Sequence, residues 1–539
     1  MDIIMATESM ASMVIMVIMA TMACMVIMVP TRLMMCTWRN KTVKRLVFLL
    51  CLFPLTTLAQ VSRLGENVHY GASMSGTASS GAYAPFWFTA NRYGLSTPHT
   101  ESFLLRASLD RNVQADSARN WRIGYGADFA VAAGMNSHLI LQQLYAEVEW
   151  KMLRLSVGQK ERPLELADDL LSCGAMTAGI NARPIPQVRL ELPHFWAVPG
   201  TRNWFSLKAH FAMGAYTDNK WQRSTAGAQG LIYTCGSLYH SKELLLRIGN
   251  EDKFPLTLTG GLEMASQFGG EGWNMGQRAD DESSLSSHRK LFNGFSSIWH
   301  AIIPGGSDVD DGDFANSEGN QLGSWHFKAN WKGHGWSASA YLEHFFEDES
   351  QMFWQYGWKD YLIGLQIHLP RNPFLSSVLY EHLGTMDQSG PVYHDARENL
   401  PVQISGLDEY YNHHIYGSWQ HAGFTMGNPL LLSPIYNSDD RIYCYYNRVN
   451  AHHMGLKGQP AEWLDWRVLY STLRTLGTYH VPSLDPLHAH YLLCELTWRP
   501  KFLPSLSISG AYGFNGGSLL GRSHGGMLTF AYQGIINKK

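Results

Sequence analysis

Alternation of apolar and polar residues with a period of two runs through the chain beyond Ala59, and no stretch there holds 18 consecutive apolar residues. Successive side chains of a strand point to opposite faces, so this period marks strands with one apolar face, and the missing long run excludes membrane-spanning helices. Over residues 205–213 the odd positions hold Phe, Leu, Ala, Phe and Met, and the even ones Ser, Lys, His and Ala. The same pattern recurs over 103–109, 121–131, 361–369, 492–498, 506–514 and 527–532. It predicts strands of about ten residues, the length that crosses a bilayer when tilted.

Residues 145–158 form two alternating runs with a minimal turn between them, a hairpin signature. Long polar stretches over 161–186, 269–284, 305–321 and 384–400 separate other strands. Short turns at one end and long loops at the other characterise transmembrane barrels, as do aromatics near strand ends such as Trp150, Trp204 and Trp498. A soluble, exported β-sandwich would alternate too. The polar positions, however, are often Gly, Ser, His or Gln rather than Lys or Glu, and no linker divides the chain, which favours a transmembrane antiparallel β-barrel. One segment departs from period two: Leu291, Phe292, Phe295, Ile298, Trp299 and Ile302 share one face of a helix over about 284–303, placed to plug the lumen, close a mouth or lie over a loop.

Methionine is concentrated at one end of the chain. Of 23 Met in 539 residues, 11 lie before residue 36, recurring every third position from Met10 to Met28 with no fixed helical face. Residues 1–33 read as a low-complexity leader, translated only if an upstream start is used. Residues 34–59 read as a signal peptide: Arg39, Lys41, Lys44 and Arg45 precede an apolar run, and Thr57-Leu58-Ala59 fits the small-x-small cleavage rule. The expected mature chain, 60–539, is one domain of 480 residues (539 less 59) with 37 basic and 43 acidic residues. Its mild acidity argues against a nucleic-acid partner. Cys173, Cys235, Cys444 and Cys494 are scattered, without metal-type spacing, and imply no disulfide scaffold.

No phosphate loop, H-E-x-x-H or G-x-S-x-G motif occurs, and no metal or cofactor is expected. The acidic run from Asp308 to Asp313 lacks the Gly and Glu an EF-hand requires at positions six and twelve. His413-His414 and His452-His453 would point to opposite faces of a strand and make poor metal pairs. Several loop segments mix rings with amides and charges: Trp354, Tyr356 and Trp358; Tyr410, Tyr411 and His413; Tyr445, Tyr446, Asn447 and Arg448. Aromatic faces stack on sugar rings while amides and charges bond hydroxyls, so these residues are the candidate polysaccharide-binding set. An interfacial aromatic girdle would use the same residue types. Glu343, Glu347, Asp348 and Glu381 are the carboxylates a glycosidase would draw on, but sequence sets no separation between any two of them.

Several longer phrases carry a resemblance. They are Ala84-Pro85-Phe86-Trp87-Phe88-Thr89-Ala90-Asn91-Arg92-Tyr93-Gly94, Asn181-Ala182-Arg183-Pro184-Ile185-Pro186-Gln187, Tyr341-Leu342-Glu343-His344-Phe345-Phe346-Glu347-Asp348 and Gly427-Asn428-Pro429-Leu430-Leu431. Leu238 to Lys242, Gly260 to Met264, Asp387 to Asp395 and Asn447 to His453 add to them. Together they resemble the capsule assembly family called Wzi, in its branch with long loops, over roughly residues 70–532. The resemblance implies an outer-membrane barrel of about 18 strands, closed toward the periplasm by helices, that binds capsular polysaccharide as a lectin-like, non-enzymatic monomer. The helix over 284–303 would then belong to the closure. An oligosaccharide diffusion channel and a surface glycan hydrolase are the alternatives. Where such barrels commonly end on an aromatic residue, this chain continues past Phe530 and Tyr532 to Lys539.

Overall fold

The computed structural model describes residues 64–116, 120–275, 288–292, 294–303, 319–347, 352, 359–370, 372, 374–388 and 409–536. Both leader segments therefore lie outside the described residues. Eighteen antiparallel strands form one sheet. In chain order they are β1 Val68–Ser80, β2 Glu101–Arg111, β3 Trp121–Ala133, β4 Leu139–Trp150, β5 Leu153–Gln159, β6 Gln187–Ala197, β7 Phe205–Ala215, β8 Leu238–Ile248 and β9 Leu256–Phe268. They continue as β10 Asn320–Lys332, β11 Ser337–Glu347, β12 Tyr361–His368, β13 Ser377–Gly384, β14 Val449–Ala461, β15 Leu464–Gly477, β16 Pro482–Trp498, β17 Leu506–Gly517 and β18 Ser523–Ile536. Each pairs with the next, and β1 pairs with β18 from Val68↔Ile536 to Ser80↔His524, so the sheet closes and leaves no edge.

The alternation is realised as two faces. Along β8, Glu243 and Leu245 are buried inward while Leu244 and Leu246 are half exposed. Phe103, Leu105, Val131, Leu190, Leu365, Leu496 and Leu528 are likewise exposed on the outside. So much apolar surface facing water would oppose folding; a bilayer covers it.

The two ends differ. Connections after even-numbered strands are short, from residues 151–152 between β4 and β5 to residues 112–120 between β2 and β3. Trp121, Trp150, Trp204, Trp331, Trp336, Trp463 and Trp498 ring this end, which also carries both described chain ends, as expected of the periplasmic rim. Connections after odd-numbered strands include 81–100, 160–186, 216–237, 269–319 and 385–448.

A barrel of this size leaves a wide lumen. Three long loops fold into it, and the main apolar core lies there. Phe86, Trp87, Phe88, Leu171, Met176, Tyr410, Tyr411, Trp419, Leu430 and Leu431 pack against inward Phe345, Leu379, Leu383, Leu469, Leu473, Tyr491 and Leu493. Helix α1, Phe86–Thr89, is wholly buried in this plug, with Phe86 stacked on Tyr491 at 4.2 Å. A second helix, α2, spans Asn219–Ser224.

The expected helix over 284–303 is shorter, α3 at Phe295–Ile302, and it sits at the long-loop rim, where Ser266 Oγ donates to the Ala301 carbonyl. Phe295 and Trp299 stay exposed because only Ser297 and Ala301 are fully buried, so α3 covers the rim and does not fill the lumen. Among the described residues all three α-helices lie in long loops. Among the described residues the short-turn end carries no α-helix, only a 3-10 turn at Val113–Asp116, and the lumen is filled by loops folded in from the opposite end.

Candidate functional site

Buried carboxylates of the barrel wall hold the plug. Glu381 accepts from the Ser172 hydroxyl and Cys173 N–H, both at 2.7 Å, and from the Tyr341 hydroxyl at 2.5 Å. Glu343 accepts from Met176 N–H at 2.8 Å, and Glu347 from Tyr411 N–H at 2.5 Å. Wall cations grip the same 160–186 loop: Lys457 pairs with Asp168 at 2.5 Å, Lys328 donates to the Leu166 carbonyl at 2.6 Å, and Lys208 pairs with Glu165. Such charge-assisted bonds are the strong ones, and here the donors would otherwise be buried unpaired. Gly455 on β14 lets the loop approach, since a Cβ there would stand 2.5 Å from the Leu171 carbonyl oxygen. Three of the carboxylates proposed from sequence for hydrolysis thus have plug-holding work; Asp348 lies outside the described residues.

Above the plug, the long-loop mouth holds a partly open pocket of about 590 Å³. Tyr83, Trp221 and Tyr436 supply rings, Arg183 and Lys220 cations, and Asp218 and Asp440 carboxylates. Tyr83 and Tyr436 pack edge to face at 5.3 Å, and the Tyr83 hydroxyl donates to the Tyr436 carbonyl. Asp218 is committed inward, accepting from Gln222 and Gln420 amides and Ala422 N–H at 3.0–3.2 Å. Asp440 accepts from Gln229 at the rim.

Arg183 is differently placed. Its backbone carbonyl accepts from His421 Nδ1 at 2.8 Å, but its guanidinium makes no hydrogen bond or ion pair among the described residues, and its Nε is buried. Burial lowers its pKa against the opposing pull of Asp218. A cation held partly out of water without a carboxylate within salt-bridge distance is a ready partner for an anion. His421 Nε2 accepts from Thr217 N–H at 3.2 Å, which fixes a neutral ring, and burial keeps its pKa low.

The structure divides the sequence-selected residues. Tyr410, Tyr411 and Asn447 are not on the surface: all three are fully buried in the plug. Tyr410 donates to Asp360 at 3.0 Å, Tyr411 bonds the Met176 carbonyl and accepts from Asn428 N–H, and Asn447 donates to the Tyr410 carbonyl at 3.0 Å. Their rings and amides suit a loop that must be satisfied inside a barrel as well as they suit sugar. Burial pushes Asp360 up to about 6, despite its bonds from Asp387 and Gln388 N–H and Tyr410. His413 accepts Ile415 N–H at Nδ1 and stacks on His414 at 4.5 Å, so this pair lies in a turn and does not splay as on a strand. His452 and His453 do take opposite faces: His453 is buried inward against the Leu171 carbonyl, while His452 bonds Tyr380 outside.

Tyr445 and Tyr446 are half-buried in the mouth loop. Tyr445 donates to Asp439 at 2.5 Å, next to the pocket's Asp440, and burial together with that bond pushes its hydroxyl up to about 12. Burial and then the Tyr83 phenol raise Tyr446. Arg448 lies over the Tyr479 ring at 3.8 Å. Trp354, Tyr356 and Trp358 lie outside the described residues. Sequence reading missed Tyr83, Arg183, Trp221 and Tyr436; the available signal was Leu430-Leu431-Leu432 within a long loop, an apolar run that has to be buried and so draws its neighbours into the mouth.

No known protein family and no curated protein matches the sequence. Among solved structures the chain is similar to Wzi, described as an Escherichia coli outer-membrane protein involved in group 1 capsule assembly and as a carbohydrate-binding β-barrel. The TM-score is 0.53 at 13% identity, over 89% of this chain and 86% of that one. It is also similar to OccK5 of Pseudomonas aeruginosa, at TM-score 0.44 and 9% identity over 87% and 98% of the two chains. The fold is that of an outer-membrane β-barrel. At these identities the likeness extends to the fold alone.

Proposed function

We propose that the protein holds capsular polysaccharide at the cell surface, at its long-loop mouth, without making or breaking covalent bonds. One observation carries the reading: at a single end of the barrel a filled lumen lies beneath a ring-lined pocket that is still open. Rings of Tyr83 and Trp221 suit the apolar faces of sugars, and the pocket's amides and charges suit hydroxyls. The neighbouring Tyr445, Tyr446, His413 and Arg448 would extend the contact, and Trp354, Tyr356 and Trp358 remain candidates for it. The likeness to a carbohydrate-binding barrel adds support. An oligosaccharide channel needs a continuous lumen, against which the plug counts. Hydrolysis needs carboxylates free to meet substrate, whereas Glu343, Glu347 and Glu381 are engaged by plug N–H and O–H groups.

On this reading the chain is exported by residues 34–59, loses them and works as a monomer in the outer membrane. Deleting the protein should release polysaccharide from cells into the medium while total synthesis is unchanged, and Trp221→Ala should release an intermediate amount. Surface polysaccharide unchanged in the deletion would overturn the assignment.

A further inference from the structure

The mouth pocket is assembled from five loops, and its charges are unequally free. Asp218 is spent on three inward partners, and Asp440 bonds Gln229. Neither Arg183 nor the exposed Lys220 has a carboxylate within 4 Å among the described residues, although both line the pocket beside Trp221. The backbone that carries the guanidinium is also fixed from behind. A Cβ on Gly94 would stand 2.8 Å from Arg183 N, and His421 ties down the Arg183 carbonyl, so the backbone that carries the cation is clamped between two loops. A guanidinium presents a planar fork that matches a carboxylate with two parallel bonds.

We infer that this pocket selects an acidic sugar, with Arg183 binding the carboxylate of a uronic acid residue, Lys220 adding charge at the rim, and Trp221 receiving the ring. The inference rests on the polysaccharide-retention reading and goes further by naming the chemistry recognised. A phosphate substituent on the glycan offers the same negative charge, and the experiment separates the two.

The full mature barrel, purified in detergent, is titrated with surface polysaccharide extracted from the cells that make it. Three forms are compared: native, carboxyl-reduced by carbodiimide and borohydride, and dephosphorylated with hydrogen fluoride. Carboxyl reduction should weaken binding at least tenfold and dephosphorylation should leave it unchanged. Arg183→Gln should bind the native form as weakly as wild type binds the reduced form and should no longer tell them apart, with Arg183→Lys intermediate. Lys220→Gln, at an exposed position where folding is not at stake, should weaken native binding severalfold and flatten its salt dependence. Equal binding of native and reduced forms, loss on dephosphorylation alone, or an Arg183→Gln protein that still discriminates would overturn the inference while leaving retention intact. If wild type binds none of the three forms, retention itself fails.

Discussion

The short-turn end and the long-loop end are made from one chain by opposite means. At the short-turn end, strands reverse over as few as two residues, and the exposed Trp side chains meet lipid and headgroups without any partner loop. At the long-loop end, segments 81–100, 160–186 and 409–448 turn back into the lumen and build the largest apolar core among the described residues. The first end depends on ladder hydrogen bonds and the bilayer. The second depends on a few buried charged groups that reach out from the wall, so it alone can be opened without dismantling the barrel.

Glu381→Ala is the sharpest way to break that asymmetry. It strips three donors, on Ser172, Cys173 and Tyr341, of a fully buried acceptor. Each buried donor left without its acceptor costs about 1–3 kcal/mol. The loop should leave the lumen while the barrel persists: planar-bilayer recordings should change from little conductance to large, frequent openings, with heat-modifiable gel mobility retained. A silent variant that keeps its fold would show that the carboxylate does not hold the plug.

Acid should open the same end more gently. His413 titrates at about 3 in the folded loop because burial, and then His414, disfavour its charged form. Unfolded histidine titrates near 6.5. Between these values the opened loop takes up the proton first, so closure is at full strength above about pH 6.5 and weakens as the pH falls toward 3. Protonation at Nδ1 would also cost the bond from Ile415 N–H. His421, likewise held low by burial, acts in the same direction. Asp360, raised to about 6, opposes them by favouring closure as the pH falls from 6 toward 4. Above pH 6 only the histidines act, and the window of His413, down to about 3, is wider than that of Asp360. Open probability should therefore rise between pH 7.5 and 5, and His413→Gln should reduce that rise, since His421 alone then works against Asp360. A flat profile in wild type would remove the histidines from the closure.

These two regions were not equally legible. Period two is a property of strands facing lipid, so it located β2, β3, β7, β12 and the strands near the end of the chain, and residues 145–158 gave the β4–β5 turn directly. Inside the barrel the same side chains meet a folded loop, and sequence carries no sign of which loop that is. Tyr410, Tyr411 and Asn447 therefore read as a sugar surface although they are plug core, and Arg183 passed unremarked beyond its place in a resemblant phrase. What marks Arg183 is the lack of a bonded carboxylate, which depends on contacts among segments hundreds of residues apart. Glu381 shows the same limit from the other side: a carboxylate suited by type to catalysis is committed by position to Ser172 and Cys173.

The smallest expected effect lies at the opposite rim and measures how independent it is. Lys151 heads the two-residue turn between β4 and β5 with φ of 54°, a left-handed conformation that disfavours a β-carbon. Glycine there relieves that strain, worth about 1 kcal/mol, but gives up the ammonium held 4.6 Å from the Trp150 ring centroid, worth about 0.5–1 kcal/mol at an exposed site. The two nearly cancel. Lys151→Gly should shift the denaturant midpoint of the barrel by less than the equivalent of about 1 kcal/mol and leave conductance and polysaccharide binding as they are. A change in conductance would mean that the two rims communicate through the wall. The expected answer is that they do not: Gln142 and Gln143 of β4 do bond Tyr93 and Glu161 of the long loops, but toward the far end of that strand from Lys151, and Lys208, Lys328, Glu343, Glu381 and Lys457, which tie the plug to the wall elsewhere, lie on β7, β10, β11, β13 and β14.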